Sequence, residues 1–213
     1  MLKRTIAFVF FLSIITVSSV QAQSQEAQSK KEVLVLSSYF QGYAWAENLA
    51  SAVVSRYAVN RRLTVEVEFL DLVAQRDSVL MKEKAESIMN THDATGKEIV
   101  ILIGEEAWIM YRTFMKGAWK EVPCVAIFSG EYTCSAKDYN SGKECVESMK
   151  IPLEESRRGF NATLITDPYS IHETIELALQ LKPKTKNLAL VTNSWQIGYL
   201  SRYKTRKVLE QYH

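Results

Sequence analysis

Three short runs of uninterrupted apolar residues, 33–36, 99–103 and 122–128, are separated by stretches in which apolar residues recur every three or four positions. This alternation is the strongest constraint on the fold. A strand without a polar face must be covered on both sides, and such strands belong to parallel sheets, whose crossovers are helices. Residues 33–36 lead through Ser37 and Ser38 into a helical pattern carried by Trp45, Leu49, Ala52, Val53 and Tyr57. Residues 65–72 alternate apolar and acidic side chains as a further strand, and Asp77 is placed to cap a helix bearing Leu80, Met81, Ala85, Ile88 and Met89. Residues 99–103 pass through Gly104 into a helix over 105–116, with Ala107, Trp108, Tyr111 and Met115 on one side, and 122–128 follow as a fourth strand. Right-handed crossovers make this one α/β lobe, a doubly wound parallel sheet with helices on both faces.

After a polar loop over 131–150, residues 160–165 read as another strand and Asp167-Pro168 opens a helix whose inner face is Ile171, Ile175, Ala178 and Leu179. Ser170 and Glu173 have capping-box spacing, and Leu181-Lys182-Pro183 ends the helix. Residues 187–191 read as a strand and 199–212 as a helix. A strand with no neighbour cannot satisfy its backbone groups. Residues 187–191 therefore either begin a second lobe that a longer chain completes or join the first sheet, and the packing argument favours the first. The expected organisation is a signal peptide over 1–22, a polar leader over 23–31, a first α/β lobe over 32–160, and a crossing segment with an incomplete second lobe over 161–213.

Lys3 and Arg4, an apolar run over 6–17 and the small-residue ending Val20-Gln21-Ala22 have the three-part build of a secretory signal, with cleavage expected after Ala22 and a periplasmic destination. The run falls short of the ~20 residues of a spanning helix, and an uncleaved anchor is the alternative. No cysteine follows the cleavage point, which argues against a lipid anchor. Of the 26 basic residues, two lie in this leader and the rest balance the 24 acidic ones, so nothing here recruits nucleic acid. Export permits a disulfide. Cys124 lies inside an apolar run and reads as a core residue, which leaves Cys134 and Cys145 as the candidate pair closing the polar loop, although spacing alone does not set connectivity. The cysteines fit no zinc motif. His172 beside Glu173 reads as a surface histidine, since adjacent helical positions do not face each other, and His92 and His213 show no evident partner. Asn161-Ala162-Thr163 matches a glycosylation triplet, a pattern short enough to arise by chance. No phosphate-cradling, dinucleotide-binding, nucleophile-elbow or zinc-helix motif is present, so neither a metal, a cofactor nor a catalytic residue is assigned.

Val33-Leu34-Val35-Leu36-Ser37-Ser38-Tyr39 followed by Gly42-Tyr43-Ala44-Trp45 resembles the opening of the periplasmic ABC-substrate-binding-protein-like domains that serve as sensors in bacterial signalling proteins. Phe69-Leu70-Asp71 resembles that family's second strand. Ile101-Leu102-Ile103-Gly104-Glu105-Glu106-Ala107 resembles its third strand and helix start, and Val122-Pro123-Cys124-Val125-Ala126-Ile127-Phe128 its fourth strand. Residues 165–183 and 187–193 look like its crossing strand, helix and first strand of the second lobe. The resemblance implies a type I periplasmic-binding fold that closes on a small molecule. Such a domain is either the input module of a two-component, membrane-spanning histidine kinase or a free solute-binding protein partnered by an ABC permease. It implies no enzyme activity in this chain; an exported enzyme on a flavodoxin-like scaffold is the third reading. The chain departs from the pattern in stopping after the first unit of the second lobe and in its long polar loop with two cysteines. Dimerisation suits a sensor that signals across a membrane, and no residue pattern selects the face.

Ligands of open α/β sheets bind beyond the carboxyl ends of the strands. The candidates are Ser38, Tyr39, Tyr43 and Trp45 after the first strand, Asp71 after the second and Glu105 and Glu106 after the third. Ser129, Gly130 and Glu131 follow the fourth, and Thr192, Asn193 and Trp195 lie on the second-lobe side. The aromatic residues offer flat amphipathic area to a sugar or an aromatic metabolite. Trp45 lies in phase with Leu49 and Val53, which favours a core position for it. Glu105 and Glu106 suit a cationic ligand, but they also complement the helix dipole, and the dipole reading is the stronger from sequence.

Overall fold

The computed structural model describes residues 31–60, 63–75, 77–128, 130, 132–140, 151–166 and 170–212. The expected signal peptide over 1–22, Ser129, Glu131, Cys145 and His213 lie outside these residues. The main sheet contains β1 (Lys31–Ser37), β2 (Leu63–Phe69), β3 (Lys97–Ile103), β4 (Cys124–Phe128) and an edge strand, β7 (Ala162–Thr166). All neighbours are parallel and the order is β2-β1-β3-β4-β7. The crossovers are α1 (Ala44–Ala58), α2 (Ser78–Thr91) and α3 (Glu105–Phe114). The expected α/β class and parallel sheet are what the chain forms.

Side-chain parity along the strands divides the core in two. Leu34, Leu36, Val100, Leu102, Ala126 and Phe128 face α2 and α3, where they meet Met81, Ala85, Ile88, Ala107, Trp108 and Tyr111. Val33, Val35, Ile101 and Ile103 face the other way, onto Ala46 and Ala50 of α1. Buried on both faces, β1 and β3 have no position for a polar residue in mid-strand, which is why their sequences carry no alternation. β2 lies at an edge, and its Val-Glu alternation follows from that place: Val65 and Val67 pack toward α1 while the half-buried Glu68 and the exposed Glu66 take the other face. Asp77 caps α2 by accepting from the Val79 amide at 2.7 Å, as its position predicts.

Between β4 and β7 the polar loop holds short elements: β5 (Tyr132–Thr133) pairs antiparallel with β6 (Ile151–Pro152), and α4 (Ala136–Asn140) and α5 (Leu153–Ser156) accompany them. Trp108 of α3 donates its indole proton to Ser156 Oγ at 3.1 Å, which ties this excursion to the core. β7 pairs with β4 along its full length, so the expected crossing strand is instead the last strand of the first sheet.

Beyond β7, α6 (Ile171–Leu181) is capped by Ser170, whose hydroxyl accepts from the Glu173 amide at 3.2 Å, and α7 (Gln196–Leu209) packs against it. The expected strand over 187–191 does not form. No strand edge lies beside it among the described residues, Leu188 and Leu190 are half exposed, and Val191 is 93% exposed. Apolar composition without a ladder partner leaves backbone groups to water, so the segment stays irregular. Among the described residues, no helix is long and apolar enough to cross a membrane.

Candidate functional site

The chain moves from β1 to β2 on one side and then crosses back over β1 to reach β3 on the other, so the direction of winding reverses between β1 and β3. Such a reversal opens a crevice beyond the carboxyl ends of the two strands. Gly104 allows the two ends to approach. It adopts φ 99°, and a Cβ there would lie 2.5 Å from Ser38 Oγ and 2.7 Å from Ser38 Cβ. Ser38 itself is fully buried. Its amide donates to the Ile103 carbonyl at 2.7 Å and its hydroxyl accepts from the Ala107 amide at 2.8 Å, capping α3 from a neighbouring strand. Its carbonyl accepts from the amides of Leu72 and Val73 at 2.7 and 3.2 Å. Ser38 thus lies beneath the crevice, joining three strand ends, rather than in its wall.

Above this junction is a cleft of about 190 Å³ lined by Tyr39, Tyr43, Trp45, Val73, Glu105, Glu106, Phe128, Trp195 and Ile197. Tyr39 stacks on Tyr43 with ring centroids 4.5 Å apart, and Trp45 meets Tyr39 edge-on at 5.5 Å. Trp195, which precedes α7, meets Tyr43 at 5.5 Å and Tyr39 at 6.0 Å. Segments some 150 residues apart therefore meet on one wall. Trp45 is 39% exposed, contrary to its expected core position. The fully buried positions of α1 are Ala46 and Ala50, and Trp45, in phase with the partly covered Leu49, Val53 and Tyr57, stands beside that buried stripe at the mouth of the cleft.

Glu105 and Glu106 occupy the first turn of α3. Glu106 is only 4% exposed, and its Oε1 accepts from the Tyr139 hydroxyl at 3.1 Å. The field of the pair reaches Tyr39. Burial, then the charge of Glu106, then Tyr43 and Glu105, push its phenol well above the ordinary tyrosine range, so it remains a neutral hydrogen-bonding group. Arg112 on the last turn of α3 donates to the Cys134 carbonyl. Burial lowers its pKa, and Cys134 and Glu105 act in the opposite direction.

Of the other expected site residues, Asp71 adopts a positive φ of 52° and donates its amide to the Tyr39 carbonyl at 3.4 Å. Its Oδ1 is shielded from solvent and has no hydrogen-bond partner among the described residues. It flanks the cleft without lining it. Gly130 is buried at φ 138° just beyond β4, while Ser129 and Glu131 lie outside the described residues. Thr192 and Asn193 are exposed; Asn193 Oδ1 accepts from the Trp195 amide at 3.1 Å and its carbonyl from Arg202 at 3.2 Å, so Asn193 sets the turn that presents Trp195. Val73, Phe128 and Ile197 also line the cleft, and as ordinary apolar residues they carried no signal in the sequence. Burial pushes the Cys124 thiol up to about 12, in keeping with its expected core position. The candidate pairing of Cys134 with Cys145 lies outside the described residues.

A second polar cluster sits at the opposite end of the sheet. His92, at the end of α2, is buried there, although the sequence showed no partner for it. Lys97 Nζ, with its side chain 2% exposed, lies 2.5 Å from Glu32 Oε2 and 3.1 Å from His92 Nδ1, while His92 Nε2 lies 2.6 Å from Glu68 Oε1. An ammonium only donates, so Nδ1 accepts and the ring proton sits on Nε2. Glu32, Glu66 and His92 could together hold a metal ion, but the Lys97 ammonium already supplies the positive charge at this position. The Val-Glu-Val-Glu run was the available signal, since it places Glu66 and Glu68 on one side of β2. His172 is a surface residue paired with Glu176 at 3.3 Å.

Comparison of the chain with protein-family models, with curated proteins and with solved structures finds no match.

Proposed function

We propose that this chain is an exported small-molecule-sensing domain of the periplasmic-binding kind, acting as the input module of a membrane histidine kinase. One observation carries the ligand-binding part of the reading: the aromatic and acidic cleft lies where the winding of the parallel sheet reverses, the place where open α/β sheets take their ligands. Trp195 gives the reading its switch. It packs on Tyr39 and Tyr43 from a segment outside the sheet, so a ligand that touches Trp195 together with the rings after β1 favours this closed arrangement over an open one. The leader over 1–22 and the ordered strand blocks support export and the sensor assignment.

Thermal unfolding of the chain against a library of amines, amino acids, sugars, purines and small acids tests this. A ligand at 100 times its dissociation constant stabilises by about 2.7 kcal/mol, a shift of several degrees. At least one class is expected to raise the midpoint, with the shift abolished by Trp195→Ala. A flat response across the library would remove the reading.

A further inference from the structure

We infer that the cleft at the winding reversal takes a flat, uncharged nitrogen heterocycle the size of a free nucleobase, held by stacking on the indole rings of Trp45 and Trp195. This inference rests on the small-molecule reading above and adds the chemistry of the ligand.

Two tryptophans stand at the cleft without serving the core. Trp45 and Trp195 line it but belong to neither hydrophobic cluster, and Trp45 is 39% exposed. Keeping such large side chains at a cleft forgoes much of the stabilisation that full burial brings. Each indole crosses the neighbouring tyrosines steeply, Trp45 meeting Tyr39 at 71° and Trp195 meeting Tyr43 at 70°. Tyr39 and Tyr43 stack on each other within 12° of parallel. Among the described residues neither indole stacks in parallel on another ring. The indole faces are the stacking surfaces of the cleft, and a planar ring uses such a face best. The polar groups decide against charged and hydroxyl-rich ligands. Glu105 and Glu106 are both engaged within the protein, Glu106 by the Tyr139 hydroxyl, so their charges do not select the ligand. Neither Lys nor Arg is among the described residues lining the cleft, and a carboxylate or phosphate would enter without a cation to meet it. A sugar would stack, but its many hydroxyls would lose water without enough partners to replace it. What the cleft offers instead are donors at the rims of rings, the two indole N–H groups and the phenols of Tyr39 and Tyr43. Burial, and then the charge of Glu106, keep the Tyr39 phenol protonated. A ring nitrogen accepts from such donors while staying in the plane that stacks.

Size limits the heterocycle. The cleft of about 190 Å³ is somewhat larger than the roughly 150 Å³ of an apolar cavity that holds benzene, and smaller than the ~300–1,000 Å³ of sites for drug-sized ligands. One ring or two fused rings fit, without a long substituent.

Tryptophan fluorescence and calorimetric titration of the full chain test the inference with adenine and benzimidazole near neutral pH, where both are uncharged. The comparison compounds are glucose, which is neither flat nor aromatic, and free tryptophan, a flat heterocycle that carries two charges. The uncharged heterocycles are expected to bind saturably and roughly tenfold or more tighter than either, in line with a stacking contact. Trp45→Ala should weaken them roughly fivefold to a hundredfold, the worth of one such contact. Trp45→Phe keeps a ring face and should recover most of that loss. Melting curves check that both variants fold, and the comparison of compounds on the unaltered chain needs no variant at all. Glucose or tryptophan binding as tightly as the heterocycles, heterocycle binding indifferent to Trp45→Ala, or no saturable binding by either heterocycle would overturn the inference. If other compounds then bind in a Trp195-dependent way, the small-molecule reading survives without the preference for a flat uncharged ring. If nothing binds, both fall.

Discussion

Gly104 and Ser38 show how a single pair of residues holds the sheet ends together. Gly104→Ala would combine a strained positive φ with a Cβ pressed onto the Ser38 side chain, whose hydroxyl is held by the Ala107 amide while the Ser38 amide is held by the Ile103 carbonyl. The expected loss is about 1–3 kcal/mol, read from urea unfolding. A change within 0.5 kcal/mol would show that the junction relaxes freely. Lys97 makes the corresponding case at the other end of the sheet. Lys97→Ala leaves Glu32 and the His92–Glu68 pair without the ammonium that joins them. Removing one partner of a fully buried pair costs about 3–5 kcal/mol. Glu32 is 23% exposed and keeps some hydration, so the lower end of that range is expected in the same unfolding assay. Lys97→Met should lose less than Lys97→Ala, since the methionine refills the buried volume, while both leave Glu32 without its cation.

Among the elements, local signals and packing agree in most places. Asp77 and Ser170 cap α2 and α6 where their positions predict, because a cap needs only its own first helical turn. The turn that joins α2 to β3 has a similar device in Asp93, which accepts from the hydroxyl of Thr95 at 2.6 Å and from its amide at 3.0 Å. These bonds, the side-chain one first, hold the Asp93 carboxyl below its ordinary 3.8. A depressed carboxyl contributes stability above its unfolded value and loses it as pH falls through the folded one. The melting difference between the chain and Asp93→Ala should therefore be steady from neutral pH down to the region of 3.8 and shrink below it. A difference unchanged down to pH 2 would show that the ionised form does not matter. The segment over 187–191 is where local signal and packing part, because a strand exists only beside another strand.

In the whole molecule, the sheet and its helices form the scaffold, and the cleft depends on a distant segment that adds little to that scaffold. Trp195 touches the rings after β1 but belongs to neither hydrophobic core. Trp195→Ala should accordingly abolish ligand-dependent stabilisation while moving the ligand-free melting midpoint by no more than a few degrees. A large fall in that midpoint would instead make the residue part of the folding unit. The apolar groove of about 430 Å³ between α6 and α7, lined in part by Ile175, Ala178, Leu188 and Leu190, lies in the same outlying region.

The apolar runs of β1, β3 and β4, the alternation of β2, the periodic helices and the caps are legible in the chain because each depends on neighbours within a few residues or on burial of a whole segment. The placement of Tyr39, Tyr43, Glu105 and Glu106 at strand ends is legible for the same reason, whereas Trp195 reaches the cleft although the strand expected before it does not form. The pairing of β7 with β4, the position of Trp45 off the buried stripe, the burial of His92 against Lys97 and Glu68, and the use of Ser38 as a cap for α3 are not legible locally. Each is settled by contact between segments far apart in sequence. Register and close approach in three dimensions decide them, and a local pattern carries no record of either.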